Sequence, residues 1–371
     1  MCGPIQQWLL RRSKGPPVGK TRVIGLDIGT THVRAAELEF GSGGPSATAR
    51  PRLLKLGVAP LPPGAVREGE VVERQTVGSV IKRLWAEQKF SHKNVVLGIG
   101  NQRVVVRDLD LPAMPMAQVR SSLPFQVADL IPVAVDDAIL DYLPVGSRQG
   151  DGGEVMQGLL VAATKDTVTA NTAAVEIAGL RPVVVDLSAF ALSRAIARGE
   201  ALDHTIAVVD VGARVTTVAV VARGMPRMVR MLPSGGQDVT EAVAAALQVP
   251  LDQAEMAKRA IGVGHAVAPE QERAAEQIVT VVSALIEAVR NTMVYYVSSH
   301  PGAGVEHIML TGGASHLPGL GQYLSTATRL PVSGGQPLDN VDVDRGVTYA
   351  RLSEEQHTMA IALGLAMGSV A

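Results

Sequence analysis

Residues 206–221 read IAVVDVGARVTTVAVV: an apolar strand ends on Asp210-Val211-Gly212, turns, and returns as a second β-branched strand from Thr216. Residues 23–38, VIGLDIGTTHVRAAEL, do the same, with a strand into Asp27-Ile28-Gly29, a turn at Thr30-Thr31 and a return strand. A strand, Asp-x-Gly turn, strand unit that occurs once in each half of the chain predicts two domains of related topology. The spacing also has a chemical sense. Polyphosphate requires backbone N–H groups without Cβ interference, hydroxyl donors for its oxygens and a divalent ion for its charge. Gly29, Thr30 and Thr31 supply the first two on one side, and Gly212, Ala213 and Thr216 on the other. Asp27 and Asp210, at the two strand ends, can meet at a hydrated Mg²⁺, which keeps several of its waters.

The rest of the chain agrees with an α/β fold. At 371 residues it exceeds one ordinary core, and its 47% hydrophobic, 3% aromatic composition calls for sheets of Val, Ile, Leu and Ala covered by helices. Lys and Arg (34) nearly balance Asp and Glu (35), which leaves no electrostatic footprint for nucleic acid. The one cysteine, Cys2, cannot make an internal disulfide, which fits a reducing compartment. The apolar stretches at Ile278 to Ile286 and Thr358 to Ala371 are shorter than a bilayer span, so any membrane role is expected to be peripheral. A short apolar patch with Arg11, Arg12 and Lys14 within residues 1–19 reads as a frayed terminus.

Periodicity predicts a helix at Thr76 to Gln88 and one from about Glu270 to Ser299, the latter with Ile278, Val282, Leu285, Val289 and Met293 on one stripe. Residues 93–182 read as a small α+β insertion. Near the end, an apolar strand opens into Gly312-Gly313-Ala314-Ser315, where paired glycines permit close approach to a flat base and ribose. Glu255 and Lys258 share one face of a helix, which by itself is what a surface ion pair looks like. A last helix is expected from about Glu354, and residues 262–270 are expected to form an exposed loop.

Taken in order, these features resemble the actin, Hsp70 and FtsA superfamily over residues 20–371. The resemblance implies an actin-like ATPase (ribonuclease H-like) fold that binds ATP and Mg²⁺. Asp27 to Thr31 then match the first phosphate loop, Asp210 to Thr216 the second and Gly312 to Ser315 the adenosine loop. Gly236 would lie at the nucleotide entrance, and Glu255 and Lys258 would reach ribose and adenine. The implied division is 20–92 with 183–202, the insertion 93–182, 203–232 with 276–371, and 233–275. No residue for orienting an attacking water is readable, so the resemblance extends at most to a slow ATPase.

Within the insertion, Val104 to Pro112, Pro124-Phe125-Gln126, Ile131-Pro132, Ala138 to Tyr142 and Leu159 to Lys165 resemble the PilM family of type IV pilus assembly. Pro124 departs from the continuous helix usual there. That resemblance implies a cytoplasmic platform, peripheral at the inner face of the membrane. It would dock the N-terminal peptide of a membrane-anchored PilN-like partner and have some capacity for self-association. Two other readings share the nucleotide site, an FtsA-like division scaffold and a small-molecule kinase of the same superfamily.

Overall fold

The computed structural model describes residues 20–42, 44–45, 50–264, 268–347 and 355–368. The 1–19 segment, Glu354 and the middle of the expected 262–270 loop lie outside them.

The first domain starts from the predicted hairpin, β1 (Thr21–Ile28) and β2 (His32–Phe40), to which β3 (Arg52–Pro60) adds antiparallel. A small hairpin, β4 (Val66–Arg67) and β5 (Glu70–Val71), leads into α1 (Arg74–Gln88). Its Val77, Val80, Ile81 and Leu84 are buried as their i, i+3, i+4, i+7 spacing predicts. The next strand, β6 (Asn94–Ile99), then lies parallel beside β1.

The inserted module is β7 (Val104–Pro112), α2 (Met116–Gln126), β8 (Ala138–Gly150) and β9 (Gly153–Thr164), with β9 central in the sheet. It has its own core of Leu111, Val119, Leu123, Val127, Ile131, Tyr142 and Leu160. Inside that core the Tyr142 hydroxyl donates to the carbonyls of Leu109 and Met156 at 3.0 and 3.1 Å, so the buried phenol is satisfied. Gly158 is required beneath it, because a Cβ there would lie 2.2 Å from the ring. Pro124 falls in the last turn of α2 and the helix runs on to Gln126.

Helix α3 (Lys165–Ile177) leaves the module and packs on α1, where Gly78 admits Ala174 and Ile177. Strand β10 (Arg181–Leu187) joins β6, and α4 (Ser188–Ile196) covers it. The module with its own core is therefore 104–164, narrower than 93–182, because β6, α3 and β10 bury their apolar faces in the first domain.

The second domain repeats the plan with β11 (Thr205–Val211), β12 (Thr216–Ala222) and β13 (Met225–Leu232). Then come α5 (Gly236–Leu247), α6 (Leu251–Ile261), α7 (Glu272–Ser299), β14 (His307–Thr311), α8 (Leu320–Thr328) and β15 (Val332–Gly334). The sheet runs β13-β12-β11-β14-β15. Contrary to the expectation that no stretch is long enough, Pro269–Ser299 is long and apolar enough to cross a bilayer. Its stripe of Ile278, Val282, Leu285, Val289 and Met293 is instead buried in the second core, each such side chain worth about 1.5–3 kcal/mol.

The chain then returns. Strand β16 (Asp342–Val343) pairs with β3, completing the order β10-β6-β1-β2-β3-β16, and α9 (Ala360–Ala366) packs on α4 and β1. This corrects the assignment of 276–371 as a whole to the second domain. Ala362, Leu363 and Ala366 complete the first core, and Gly25 lets β1 come within contact of the α9 backbone.

Candidate functional site

The two turns close alike. The Gly29 N–H donates to the His32 carbonyl and the Gly212 N–H to the Val215 carbonyl, both at 3.0 Å. Asp27 and Asp210, at the ends of the corresponding strands β1 and β11, are 8% and 9% exposed and sense each other's charge. Burial raises the pKa of Asp27 to about 6, with Arg34 pulling down and Asp210 pushing further up. Burial likewise raises Asp210, opposed by a 2.9 Å hydrogen bond from the Thr311 hydroxyl and by Arg34. Each carboxylate is thus short of the positive charge that would offset its desolvation.

Arg34 was not among the residues singled out in the sequence. It sits on β2 directly across from Asp27, so both side chains emerge on the same face of the hairpin. A Cβ on Gly29 would lie 3.3 Å from its Nη1, which places the guanidinium against the first turn. Its Nε is buried with no hydrogen-bond partner. The signal was available: counting outward from the turn at residues 28–33, antiparallel register pairs 27 with 34.

The second turn is braced from outside. The N–H groups of Gly236 and Gln237, at the start of α5, donate to the carbonyls of Gly212 and Ala213 at 2.9 and 2.8 Å. Gly235 packs so closely on this turn that a Cβ would lie 2.5 Å from the Gly212 oxygen. Arg214 turns outward onto α5, donating to Asp238 at 2.6 Å and to Glu241. Thr216 departs from its expected role as a phosphate donor. Its side chain is fully buried and its hydroxyl donates to the Ser234 carbonyl at 2.8 Å, tying β12 to the lead-in of α5.

Glu255 and Lys258 are not a surface pair either. Lys258 is 7% exposed, and its ammonium donates to Glu255 Oε2 at 2.5 Å, the Thr240 hydroxyl at 2.9 Å and the Gly236 carbonyl at 3.1 Å. Burial works against the Glu255 charge. Hydrogen bonds from Lys258, Thr240 and Arg259 outweigh it and hold its pKa down at about 2. The pair clamps α6 to the first turn of α5, beside the site.

The third turn closes the group. Gly312 has φ +89°, and a Cβ there would collide with the Val211 backbone at 2.4 Å; its N–H donates to the His357 carbonyl at 3.0 Å. Ala314 meets Gly236, whose Cβ would fall 2.8 Å from that of Ala314, while Gly313 is exposed and a Cβ there would meet Thr358 Cγ2 at 4.0 Å. On the first turn, the exposed Thr31 has its hydroxyl 3.0 Å from His32 Nδ1, and Thr30 is half-buried. Charge interactions among Asp27, Arg34 and Asp210 bring the two strand ends near each other, with Gly29, Thr30 and Thr31 on the first turn and Gly212 and Ala213 on the second, and Gly236, Gly312 and Ala314 pack on the second turn's side with Gly313 next to them. Among the described residues no cluster of three or more His, Cys, Asp or Glu could hold a metal by protein ligands alone. Two carboxylates can still hold a hydrated divalent cation whose other ligands are waters and phosphate oxygens.

Two α/β domains of like topology, each with an Asp-x-Gly turn at the end of its first strand, and with α9 returned to the first domain, define the actin-like ATPase fold. A family model for the type IV pilus assembly protein PilM matches residues 25–370, and the chain belongs to that family. It is 29% identical, with a TM-score of 0.79, to a solved PilM–PilN type IV pilus biogenesis complex, covering 93% of this chain and 97% of that one. The fold is also that of the ethanolamine utilization protein EutJ from Carboxydothermus hydrogenoformans, at a TM-score of 0.53 and 15% identity over 96% and 91% of the two chains. Among curated proteins, the cell division protein FtsA of Neisseria meningitidis serogroup B is 26% identical over 88% of this chain and 87% of its own length.

Proposed function

We propose that the protein binds MgATP between its two Asp-x-Gly turns and serves as a cytoplasmic platform for assembly of a type IV pilus or a related secretion system. Asp27 and Asp210 would hold Mg²⁺, which supplies charge neutralisation for the phosphates. Gly29 to Thr31, Gly212 and Ala213 would cradle the phosphates, and Gly236 and Gly312 to Ala314 the nucleoside. Thr216, Glu255 and Lys258 act behind the site, fixing the second turn and α5. The single observation that carries the reading is the set of unmatched charges. The desolvation of two buried carboxylates is only partly offset by Arg34, whose own buried Nε lacks an acceptor. A divalent cation with phosphate oxygens satisfies both demands at once. Contacts from both turns to one ligand would favour closure of the domains.

The inserted module is the docking surface for the N-terminal cytoplasmic peptide of a membrane-anchored PilN-like partner, which places the protein at the inner face of the membrane. The resemblance to the PilM–PilN complex supports this. Among the residues that carry the family resemblance, Leu111 and Ile131 are buried in the module's own core, whereas Phe125 at the end of α2 is 86% exposed. An exposed aromatic on a folded module is a ready anchor for an apolar peptide. The test measures MgATP affinity and peptide affinity separately on the full chain. Phe125→Glu should weaken the peptide at least tenfold and leave MgATP unchanged, and Asp27→Asn should weaken MgATP. Unchanged peptide binding in Phe125→Glu would remove the docking assignment, and unchanged MgATP binding in Asp27→Asn would remove the nucleotide site.

A further inference from the structure

The small β4–β5 hairpin of the first domain reaches the second domain at its Asp-x-Gly turn. The two tip residues, Glu68 and Gly69, have φ +50° and +76°, the left-handed pair that closes a tight two-residue hairpin. A Cβ on Gly69 would lie 2.8 Å from the Asn101 Cβ and 3.6 Å from Val215 Cγ2. The tip is thus seated between the β6–β7 connection and the side chain of Val215, whose carbonyl accepts the Gly212 N–H that closes the second turn. Hairpin and turn belong to different domains, so a movement of one domain on the other loosens or tightens this contact.

Behind the tip, a buried polar knot ties the hairpin to both connections of the inserted module. At the entry, Asn101 is 1% exposed; its Nδ2 donates to the Gly69 carbonyl at 3.2 Å and to Glu70 Oε1 at 2.6 Å, and its Oδ1 accepts from the Arg103 N–H at 2.9 Å. The Arg103 guanidinium stands 3.7 Å from the same Glu70 oxygen. At the exit, the fully buried Thr167 donates its hydroxyl to that oxygen at 2.6 Å, and its N–H bonds Thr164 Oγ1 at 3.4 Å, where β9 gives way to α3. One carboxylate oxygen on the hairpin therefore holds both the strand that enters the module and the helix that leaves it. Bonds to a charged acceptor are strong, and withdrawing the carboxylate strands two buried donors. The hairpin cannot shift unless the module's connections follow or these bonds break.

We propose that the β4–β5 hairpin is a coupling strut: its tip registers how firmly the second turn is held, and Glu70 relays this to the entry and exit of the inserted module. The inference rests on the reading that MgATP binds at the Asp-x-Gly turns, with Gly212 and Ala213 on the phosphates. A ligand that orders the second turn fixes Val215, Val215 backs the Gly69 tip, and the steadied Glu70 makes local opening rarer at both connections. By linkage, whatever steadies those connections favours MgATP by the same factor. Glu70 is a positioning residue and touches no ligand.

Hydrogen exchange of the full chain, with and without saturating MgATP, reads the coupling. In the parent, MgATP should slow exchange by about threefold or more at amides within 103–104 and 164–167, as well as at the two turns. Glu70→Ala should keep the protection at the turns and lose it at both connections. Val215→Ala, which withdraws the contact between the domains, should do the same, and it decides alone if Glu70→Ala does not fold. Thr167→Val should lose the response within 164–167 and keep it within 103–104, a split that general loosening of the fold does not produce. The proposal is overturned, and the nucleotide reading stands, if the parent is protected at the turns and not at the connections. It is overturned likewise if Val215→Ala or Glu70→Ala responds as the parent does, or if Thr167→Val loses both arms. Protection nowhere in the parent would overturn the nucleotide reading and the strut with it.

Discussion

The two Asp-x-Gly turns share a closing hydrogen bond of the same length and a buried aspartate at the same place, yet they are supported in different ways. Behind the second turn, α5 donates to the Gly212 and Ala213 carbonyls, Thr216 is tied to Ser234, and Arg214 is pulled onto Asp238 and Glu241. Among the described residues no helix donates to the first turn, whose Thr31 carbonyl accepts from the Leu61 N–H at 2.8 Å. This turn has Arg34, which points across the hairpin at the aspartates and leaves its Nε unsatisfied. One turn is braced from behind and the other carries the charge. Related hairpins have divided the work, with geometry held on one side and charge supplied on the other.

The comparison can be broken most forcefully at the brace. Lys258→Met removes a buried ammonium that joins Gly236, Thr240 and Glu255, and should lower stability by about 2–4 kcal/mol in denaturant unfolding. A loss under about 1 kcal/mol would return the pair to the surface role its sequence suggests. Next come the turn glycines. At Gly212 a Cβ would sit 2.7 Å from the Val215 carbonyl, which cannot move without breaking the turn, whereas at Gly29 the contacts are 3.1 Å to His32 O and 3.3 Å to the end of Arg34. Gly212→Ala should cost about 1–3 kcal/mol and Gly29→Ala about 1 kcal/mol or less. Equal losses would show that the first turn is as rigid as the second.

A pH titration sharpens the charge half of the comparison. Burial raises the Asp27 pKa to about 6, so the folded chain holds that proton more tightly than the unfolded chain does. The stability this contributes is full below about pH 4 and is lost as pH rises through about 6. Asp27→Asn should therefore stabilise the ligand-free protein at pH 7 by up to about 3 kcal/mol, with the difference from the parent vanishing at pH 4. A variant less stable than the parent at pH 7 would mean that Arg34 already neutralises the carboxylate. The smallest effect is expected at Arg214. Its replacement by Ala should leave MgATP affinity within about threefold and cost about 1 kcal/mol or less, because it pairs with partly exposed carboxylates on α5.

What the sequence made legible was local. The two Asp-x-Gly hairpins, the stripe of α7 and the Gly312-Gly313 turn are written in contiguous residues, and each stands where its pattern indicates. What was lost depends on partners distant in the chain. Nothing near Thr216 announces that its hydroxyl goes to Ser234, and nothing around Glu255 and Lys258 shows that Gly236 and Thr240 bury the pair. The return of α9 to the first domain is set by Gly25 and Gly364, small residues whose meaning appears only when the backbones they admit are in place.

The central claim is that Asp27 and Asp210 act together on one ion and its nucleotide. Calorimetric titration of MgATP into the parent, Asp27→Asn, Asp210→Asn and the double variant tests it directly. Each single variant should lose at least tenfold in affinity, and the double variant should lose little more than either, because one removed carboxylate already forfeits the shared ion. Parental affinity in both single variants, or losses that simply multiply in the double variant, would contradict a common site.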